Sequence, residues 1–275
     1  MHDVVLSLQQ VSVKRGQRCV LAGCNFDFKA GQFIAILGEN GAGKSTLLQA
    51  IAGDLTYHGT MTYRGRELRQ WSARELATER AVMEQQAYAT AGLTVAELIA
   101  LGRYARGEWH GESVAACKQA IAPWLETFKL TALAQRELTE LSGGELQRTH
   151  MARCLAQLDD GNQSATAKLL LLDEPTAALD VYHQHLSLQQ AQAFARNGHL
   201  VIAIMHDLNL ASVYADQVLL LQHGEPCACG RPTDVLQPQR LHELYNQPMH
   251  VSQHPQLGVP MIFSEPHTNS RMTRR

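Results

Sequence analysis

The stretch Gly38-Glu39-Asn40-Gly41-Ala42-Gly43-Lys44-Ser45-Thr46 constrains the fold more than any other part of the chain. It fits G-x-x-x-x-G-K-[ST] on Gly38, Gly43, Lys44 and Ser45, a loop that works only between a buried strand and a helix. Both neighbours are legible. Phe33-Ile34-Ala35-Ile36-Leu37 is an unbroken apolar run, as expected of a central strand covered on both faces. Past the loop, Lys44 to Ala52 reads as a helix closed by Gly53. Polyphosphate chemistry explains the residue types. Glycines let the backbone curl so that its N–H groups point inward at phosphate oxygens. Lys44 brings a compact cation to the β and γ phosphates. Ser45 offers a hydroxyl to Mg²⁺, and the helix start adds its positive end.

The remaining patterns supply an α/β frame for that loop. Val4, Leu6 and Leu8, then Val11 and Val13, alternate as a half-buried strand does, the first arm of an antiparallel sheet. Between residues 86 and 167 helical patterns dominate, at Val95 to Leu101, Ser113 to Phe128 and Gly144 to Leu158, which predicts a helical subdomain inserted into the core. Asp159 to Thr166 is polar and contains glycine, hence a surface loop. The α/β pattern returns with a strand at Leu169 to Leu172, a helix from Val181 to Asn197 closed by Gly198, and a strand at Leu200 to Met205. Gln217 to Gln222 followed by His223-Gly224 predicts a hairpin. The expected division is one domain over 1–248, its core about 1–86 and 168–248 and its helical part about 87–167. Residues 249–275, rich in Pro, His and Ser, read as a loosely ordered tail.

Leu169-Leu170-Leu171-Leu172-Asp173-Glu174 ends an apolar strand in two acids. Adjacent carboxylates at a strand end repel and lose hydration, which a bound Mg²⁺ resolves. Asp173 is the candidate for holding the metal, and Glu174 for polarising the water that attacks a γ phosphate. Gln85 follows a strand at Arg80 to Met83, and His206 follows the strand ending at Met205. Parallel sheets place ligands at the carboxyl ends of their strands. Gly38, Gln85, Asp173 and His206 therefore meet at one edge, with Ser45, Gln85 and Asp173 as the metal set.

Residues 141–145 read Leu-Ser-Gly-Gly-Glu. Ser142 sits where a helix N-cap belongs, and Gly143 and Gly144 expose N–H groups at the helix start, a second anion site. With this element the whole set resembles the nucleotide-binding domain of ABC transporters. The resemblance is collinear from about residue 4 to residue 245: phosphate loop Gly38–Thr46, Q-loop Gln85, signature Leu141–Glu145, Walker B acids Asp173-Glu174, D-loop Ala178-Leu179-Asp180 and switch His206. Leu-Ser-Gly-Gly-Glu is the most specific of these, since other phosphate-loop families lack it.

The resemblance implies an α/β, RecA-like P-loop NTPase core with an antiparallel β arm and an inserted helical signature subdomain. It implies an ATPase that uses ATP and Mg²⁺ and works as a head-to-tail homodimer, the signature of one copy covering the γ phosphate on the other. It further implies Glu174 as general base, His206 on the γ phosphate, and Gln85 linking the metal site to a transmembrane partner. Two permease subunits and, indirectly, a periplasmic substrate-binding protein are the expected partners, at the cytoplasmic face of a bacterial inner membrane. One departure stands out. Members carry an adenine-stacking aromatic shortly before the glycine near position 16, but this chain reads Val13-Lys14-Arg15-Gly16. Arg15 either stacks its guanidinium on the base or is a solvated strand-end charge.

Thr94 to Leu98 leading to Leu101-Gly102-Arg103-Tyr104 resembles importers of iron chelates, haem and cobalamin. Ala81 to Gln86 and Leu141 to Leu158 resemble the haemin branch most, so haemin is the expected cargo, ahead of a ferric siderophore and vitamin B12. The 13 histidines are not read as haem ligands. A formal net charge of -2 argues against a nucleic-acid partner. Action on DNA or ribosomes would ask for a long coiled coil or a second cassette, and neither pattern is present; a small-molecule kinase would lack Leu141–Glu145. No apolar run approaches the roughly 18 residues of a membrane span, and Met1-His2-Asp3 opens no signal-peptide pattern. The six cysteines are scattered and read as reduced thiols, with Cys227 and Cys229 as two residues on one strand face.

Overall fold

The computed structural model describes residues 4–85, 88–106, 114–161 and 166–265. The strands are β1 (Val4–Arg15), β2 (Arg18–Lys29), β3 (Gln32–Leu37), β4 (His58–Tyr63), β5 (Arg66–Glu67), β6 (Arg80–Met83), β7 (Leu169–Asp173), β8 (Leu200–Ile204), β9 (Gln217–Gln222), β10 (Glu225–Gly230), β11 (Met249–Gln253) and β12 (Pro260–Ser264). The helices are α1 (Lys44–Ala52), α2 (Ala73–Glu79), α3 (Val95–Gly102), α4 (Val114–Thr127), α5 (Gly143–Leu158), α6 (Val181–Arg196), α7 (Leu208–Tyr214), α8 (Pro232–Val235) and α9 (Pro238–Tyr245).

A six-stranded sheet runs in the order β10-β9-β3-β8-β7-β6, with β10 its antiparallel member and the other five parallel. Its central strands carry unbroken apolar runs, Phe33–Leu37, Leu169–Leu172 and Leu200–Ile204, because both faces are covered. Phe33, Ala35 and Leu37 of β3 join one core with residues of α3, α5 and α6, while Ile34 and Ile36 join a second core with α1 and the arm. The arm is the antiparallel sheet β2-β1-β4-β5 expected from the alternation at Val4 to Val13. Helices α3, α4 and α5 occupy the span predicted to be helical, and their apolar faces merge with the sheet core.

Parallel strands put their carboxyl ends on one edge. Register fixes the order there: Asp173 pairs with Ile204, Met83 with Leu172, and Ile36 with Ile204. The segments that follow these strands, including Gly38, Gln85, Glu174 and His206, therefore emerge side by side.

Among the described residues the opposite side of β6 has no further strand. Side chains of α5 take its carbonyls instead: Arg153 Nη2 donates to Val82 O at 2.9 Å and Gln157 Nε2 to Arg80 O at 3.0 Å.

The expectation of a loosely ordered tail from residue 249 is corrected for residues 249–265. Strands β11 and β12 pair in register from Met249↔Ser264 to Gln253↔Pro260. This hairpin is held on α7. Asn209 Oδ1 accepts Ile262 N at 2.7 Å, Asn209 Nδ2 donates to Ile262 O at 3.1 Å, and Ser212 Oγ donates to Pro260 O at 2.8 Å. Residues 266–275 lie outside the described residues, as do 162–165 of the predicted surface loop. Cys227 and Cys229 lie on one exposed face of β10, as read.

Candidate functional site

The loop after β3 curls through three glycines in the left-handed region, Gly38 at φ 151°, Gly41 at φ 81° and Gly43 at φ 96°. At Gly38 a β-carbon would run into the Leu221 carbonyl, so that position admits glycine alone. Helix α1 starts directly after Gly43, and its first-turn N–H groups have no acceptor within the helix. Lys44 is 6% exposed and spans the loop, its Nζ donating to Gly38 O at 2.7 Å and Glu39 O at 2.9 Å. Burial pulls its ammonium pKa down, and the charges of Glu174, Asp173 and Glu39 oppose that pull. A ring of inward N–H groups around a held cation is a polyphosphate cradle.

Asp173 ends β7 at 7% exposure. Burial raises its carboxyl pKa, a hydrogen bond from Ser45 works the other way, and the neighbouring Glu174 charge raises it further. Its Oδ1 is buried without a hydrogen-bond partner among the described residues. A hard divalent cation takes such an oxygen together with a hydroxyl. The donor set Ser45 and Asp173 therefore fits Mg²⁺.

Glu174 follows with φ 53°, a left-handed conformation rare for a side chain with a β-carbon. Its N donates to Ile204 O at 3.1 Å. Gln85 Nε2 donates to its Oε1 at 2.8 Å, and His206 Nε2 lies 2.6 Å from the same oxygen, which makes the Nε2–H tautomer the donor. Of the four strand-end residues singled out in the sequence, Gln85 and His206 thus meet on Glu174, the residue next to the third, Asp173.

A cavity of about 570 Å³ runs along the loop, lined by Asn40, Gly41, Gly43, Lys44, Ser45 and Thr46, by Gln85 and Glu174, and at its far end by Arg15, Arg18, Cys19, Val20, His223 and Gly224. Arg15 lies in that wall with its guanidinium held by Gln49, Nη2 to Oε1 3.1 Å. The far end has no Phe, Tyr or Trp among its lining residues; the imidazole of His223 is the ring in its wall.

Ser142 caps α5, its Oγ accepting Glu145 N at 3.3 Å while Glu145 Oε2 accepts Ser142 N at 2.8 Å. Hydrogen bonds to that carboxylate from the Ser142 N–H and then the Ser142 hydroxyl hold it below the usual carboxylate range. Ser142, Gly143 and Gly144 lie outside the cavity wall, so the structure does not bring them to the phosphate loop of their own copy.

Two residues at the site escaped the sequence reading. Gln147, on α5, donates Nε2 to Glu174 O at 2.8 Å and accepts Ala178 N on Oε1 at 3.0 Å. Its place one turn past Gly143 was the available signal. Tyr245 of α9 accepts the Gly38 N–H, and burial pushes its hydroxyl up to about 12. Nothing in the sequence brings residue 245 near residue 38.

The comparisons agree with this geometry. A family model described as ABC transporter matches residues 21–177. The chain is 48% identical over 262 residues to the hemin import ATP-binding protein HmuV of Idiomarina loihiensis, covering 95% of this chain and 99% of the relative. It is 41% identical to the HmuV of Streptomyces coelicolor, over 94% of this chain and 90% of the relative. Among solved structures, an ABC transporter provisionally described as of metal-chelate type, in an inward-facing conformation, matches with TM-score 0.78 at 25% identity, covering 96% of this chain and 98% of that one. A dimeric post-hydrolysis ATP-binding cassette bound to ADP and Pi matches with TM-score 0.72 at 25% identity, covering 82% and 98%. With the phosphate cradle, the paired acids and the capped glycine helix in one collinear order, the chain belongs to the ABC transporter family, as one of its ATP-hydrolysing subunits.

Proposed function

We propose that this chain powers the import of haemin, as the ATP-hydrolysing subunit at the cytoplasmic face of a bacterial inner membrane. The cargo reading is supported by its relatives, which over nearly their whole length are named hemin import ATP-binding proteins. The hydrolytic reading is carried by one observation: the Glu174 carboxylate is held by Gln85 and His206 on the same cavity that Lys44 and the glycine loop line.

The residues divide the work. Gly38 to Thr46 cradle the triphosphate, with Lys44 neutralising the β and γ phosphates. Ser45 and Asp173, joined by Gln85, hold Mg²⁺, which when bound offsets the charge of the phosphates. The Glu174 carboxylate takes a proton from the attacking water as the water oxygen closes on the γ-phosphorus and the bond from that phosphorus to the β-phosphate oxygen breaks, leaving ADP and phosphate. His206 donates to the γ phosphate, and Arg15 lies against the base, where a guanidinium stacks in place of the missing ring. Ser142, Gly143 and Gly144 serve the nucleotide held by a second copy; their exclusion from their own copy's cavity supports this arrangement. The closed pair moves two permease subunits, supplied from outside by a periplasmic binding protein.

Two experiments test the proposal. Glu174→Gln lowers ATP hydrolysis by roughly 10²–10⁴-fold while ATP still binds and the dimer persists; normal hydrolysis by this variant removes Glu174 as the base. Reconstituted with its permease partner, the wild-type chain drives uptake of haemin. Uptake of a ferric siderophore or vitamin B12 in place of haemin reassigns the cargo.

A further inference from the structure

Glu174 sits in a strained position at the centre of the site. A non-glycine residue at φ 53° is strained and persists only where its surroundings over-determine it. Its side chain is held by Gln85 and His206, which are themselves on loops. The backbone has a different anchor. Gln147 is 5% exposed, within the regular helix α5, and both ends of its carboxamide are used on the segment after β7. Nε2 reaches Glu174 O at 2.8 Å, and Oε1 takes Ala178 N at 3.0 Å. The helix is pressed onto that segment a turn earlier, where a β-carbon on Gly144 would stand 2.9 Å from Ala178 O. A primary amide donates to a carbonyl and accepts from an N–H at once without changing its protonation state, as these two contacts require.

We propose that Gln147 is a positioning residue for hydrolysis: its carboxamide fixes the Glu174 backbone in the left-handed conformation that aims the carboxylate at the cavity. The assignment rests on the reading of Glu174 as general base. The Gln147 side chain is not among those lining the cavity, so its effect on chemistry runs through the Glu174-to-Ala178 segment it holds. Ground-state nucleotide binding is the task of the glycine loop and is left intact.

Two substitutions separate the two ends of the amide. Gln147→Met keeps length and loses both bonds. Gln147→Glu keeps an acceptor for Ala178 N and turns an oxygen toward the Glu174 carbonyl. Both are expected to lower kcat for ATP by roughly 10²-fold, as a misplacement of about 1 Å does, with KM within about 2-fold of wild type. Combined with Glu174→Gln, Gln147→Met produces no further fall in the single-turnover rate, since both act through one group. Gln157→Met on the same helix, which loses carbonyl contacts remote from the carboxylate, lowers Tm and leaves kcat in place. The proposal is overturned if folded Gln147→Met or Gln147→Glu retains kcat while Glu174→Gln is inactive, or if the loss from Gln147→Met adds fully to that of Glu174→Gln. Normal hydrolysis by Glu174→Gln instead overturns the reading beneath it. Should Gln147→Met fail to fold, Gln147→Glu carries the same comparison.

Discussion

At Asp173 a carboxylate is buried beside another in the chain, with one oxygen unpartnered among the described residues. Burial, opposed by the Ser45 hydrogen bond and reinforced by Glu174, raises its pKa above that of the unfolded chain. The folded protein therefore binds this proton more tightly than the unfolded one. The group's contribution to stability is present below the unfolded carboxylate value and lost as pH rises through the raised folded one. At neutral pH the nucleotide-free protein carries this as strain. Asp173→Asn retains an acceptor for Ser45 and removes the charge. It is expected to raise the Tm of the nucleotide-free protein by roughly 2–4 °C, and to abolish the added stabilisation Mg²⁺ gives over ATP alone. Calorimetry with and without Mg²⁺ reads both; a lower Tm in the nucleotide-free state counts against the burial argument. The paired acids were legible because the strand before them is purely apolar. The left-handed φ of Glu174 was not, since a conformation unusual for its residue type leaves no trace in composition.

Helix α5 carries different contacts at each level along its length: the Ser142–Glu145 capping box at its start, Gln147 on the Glu174 segment, then Arg153 and Gln157 on β6. Ser142→Arg removes the cap, a loss of about 1 kcal/mol, and under the proposed two-copy arrangement fills the space a neighbouring triphosphate needs. The expected outcome is near-wild-type ATP binding by the monomer with turnover lost, checked by equilibrium binding beside steady-state hydrolysis; unchanged turnover would show that this helix start does not serve a shared site. Its cap and glycines could be read from Leu141–Glu145, because capping is local. The role of Gln147 could not. It is one polar residue on a mixed helix, and both of its partners are backbone groups about 30 residues away in sequence, placed only once β7 has packed. For the same reason β3, with its unbroken apolar run Phe33–Leu37 stopping at Gly38, was plain, while the residues that satisfy the β6 edge were invisible.

Across the whole molecule, the C-terminal hairpin shows how far local pattern reaches. Met249 to Gln253 alternate weakly and are mostly polar, so nothing nearby announces a strand. Their order comes from Ile262, 7% exposed, and from Asn209 and Ser212 of α7, which begins two residues after His206. The hairpin thus buttresses the helix that follows His206. Ile262→Ala is expected to destabilise the protein by about 2–4 kcal/mol, with a chain ending at Pro248 affected more strongly; denaturant midpoints measure both, and an unchanged midpoint would mean the hairpin bears nothing. The six-stranded sheet closes its two sides by unlike means. At β6, arginine and glutamine side chains occupy the outward carbonyls; at β10, Pro226 interrupts the donors. Neither border of this sheet offers an uninterrupted ladder to a stranger's strand, so concentrated protein resists templated growth into fibres without needing a further strand to shield it.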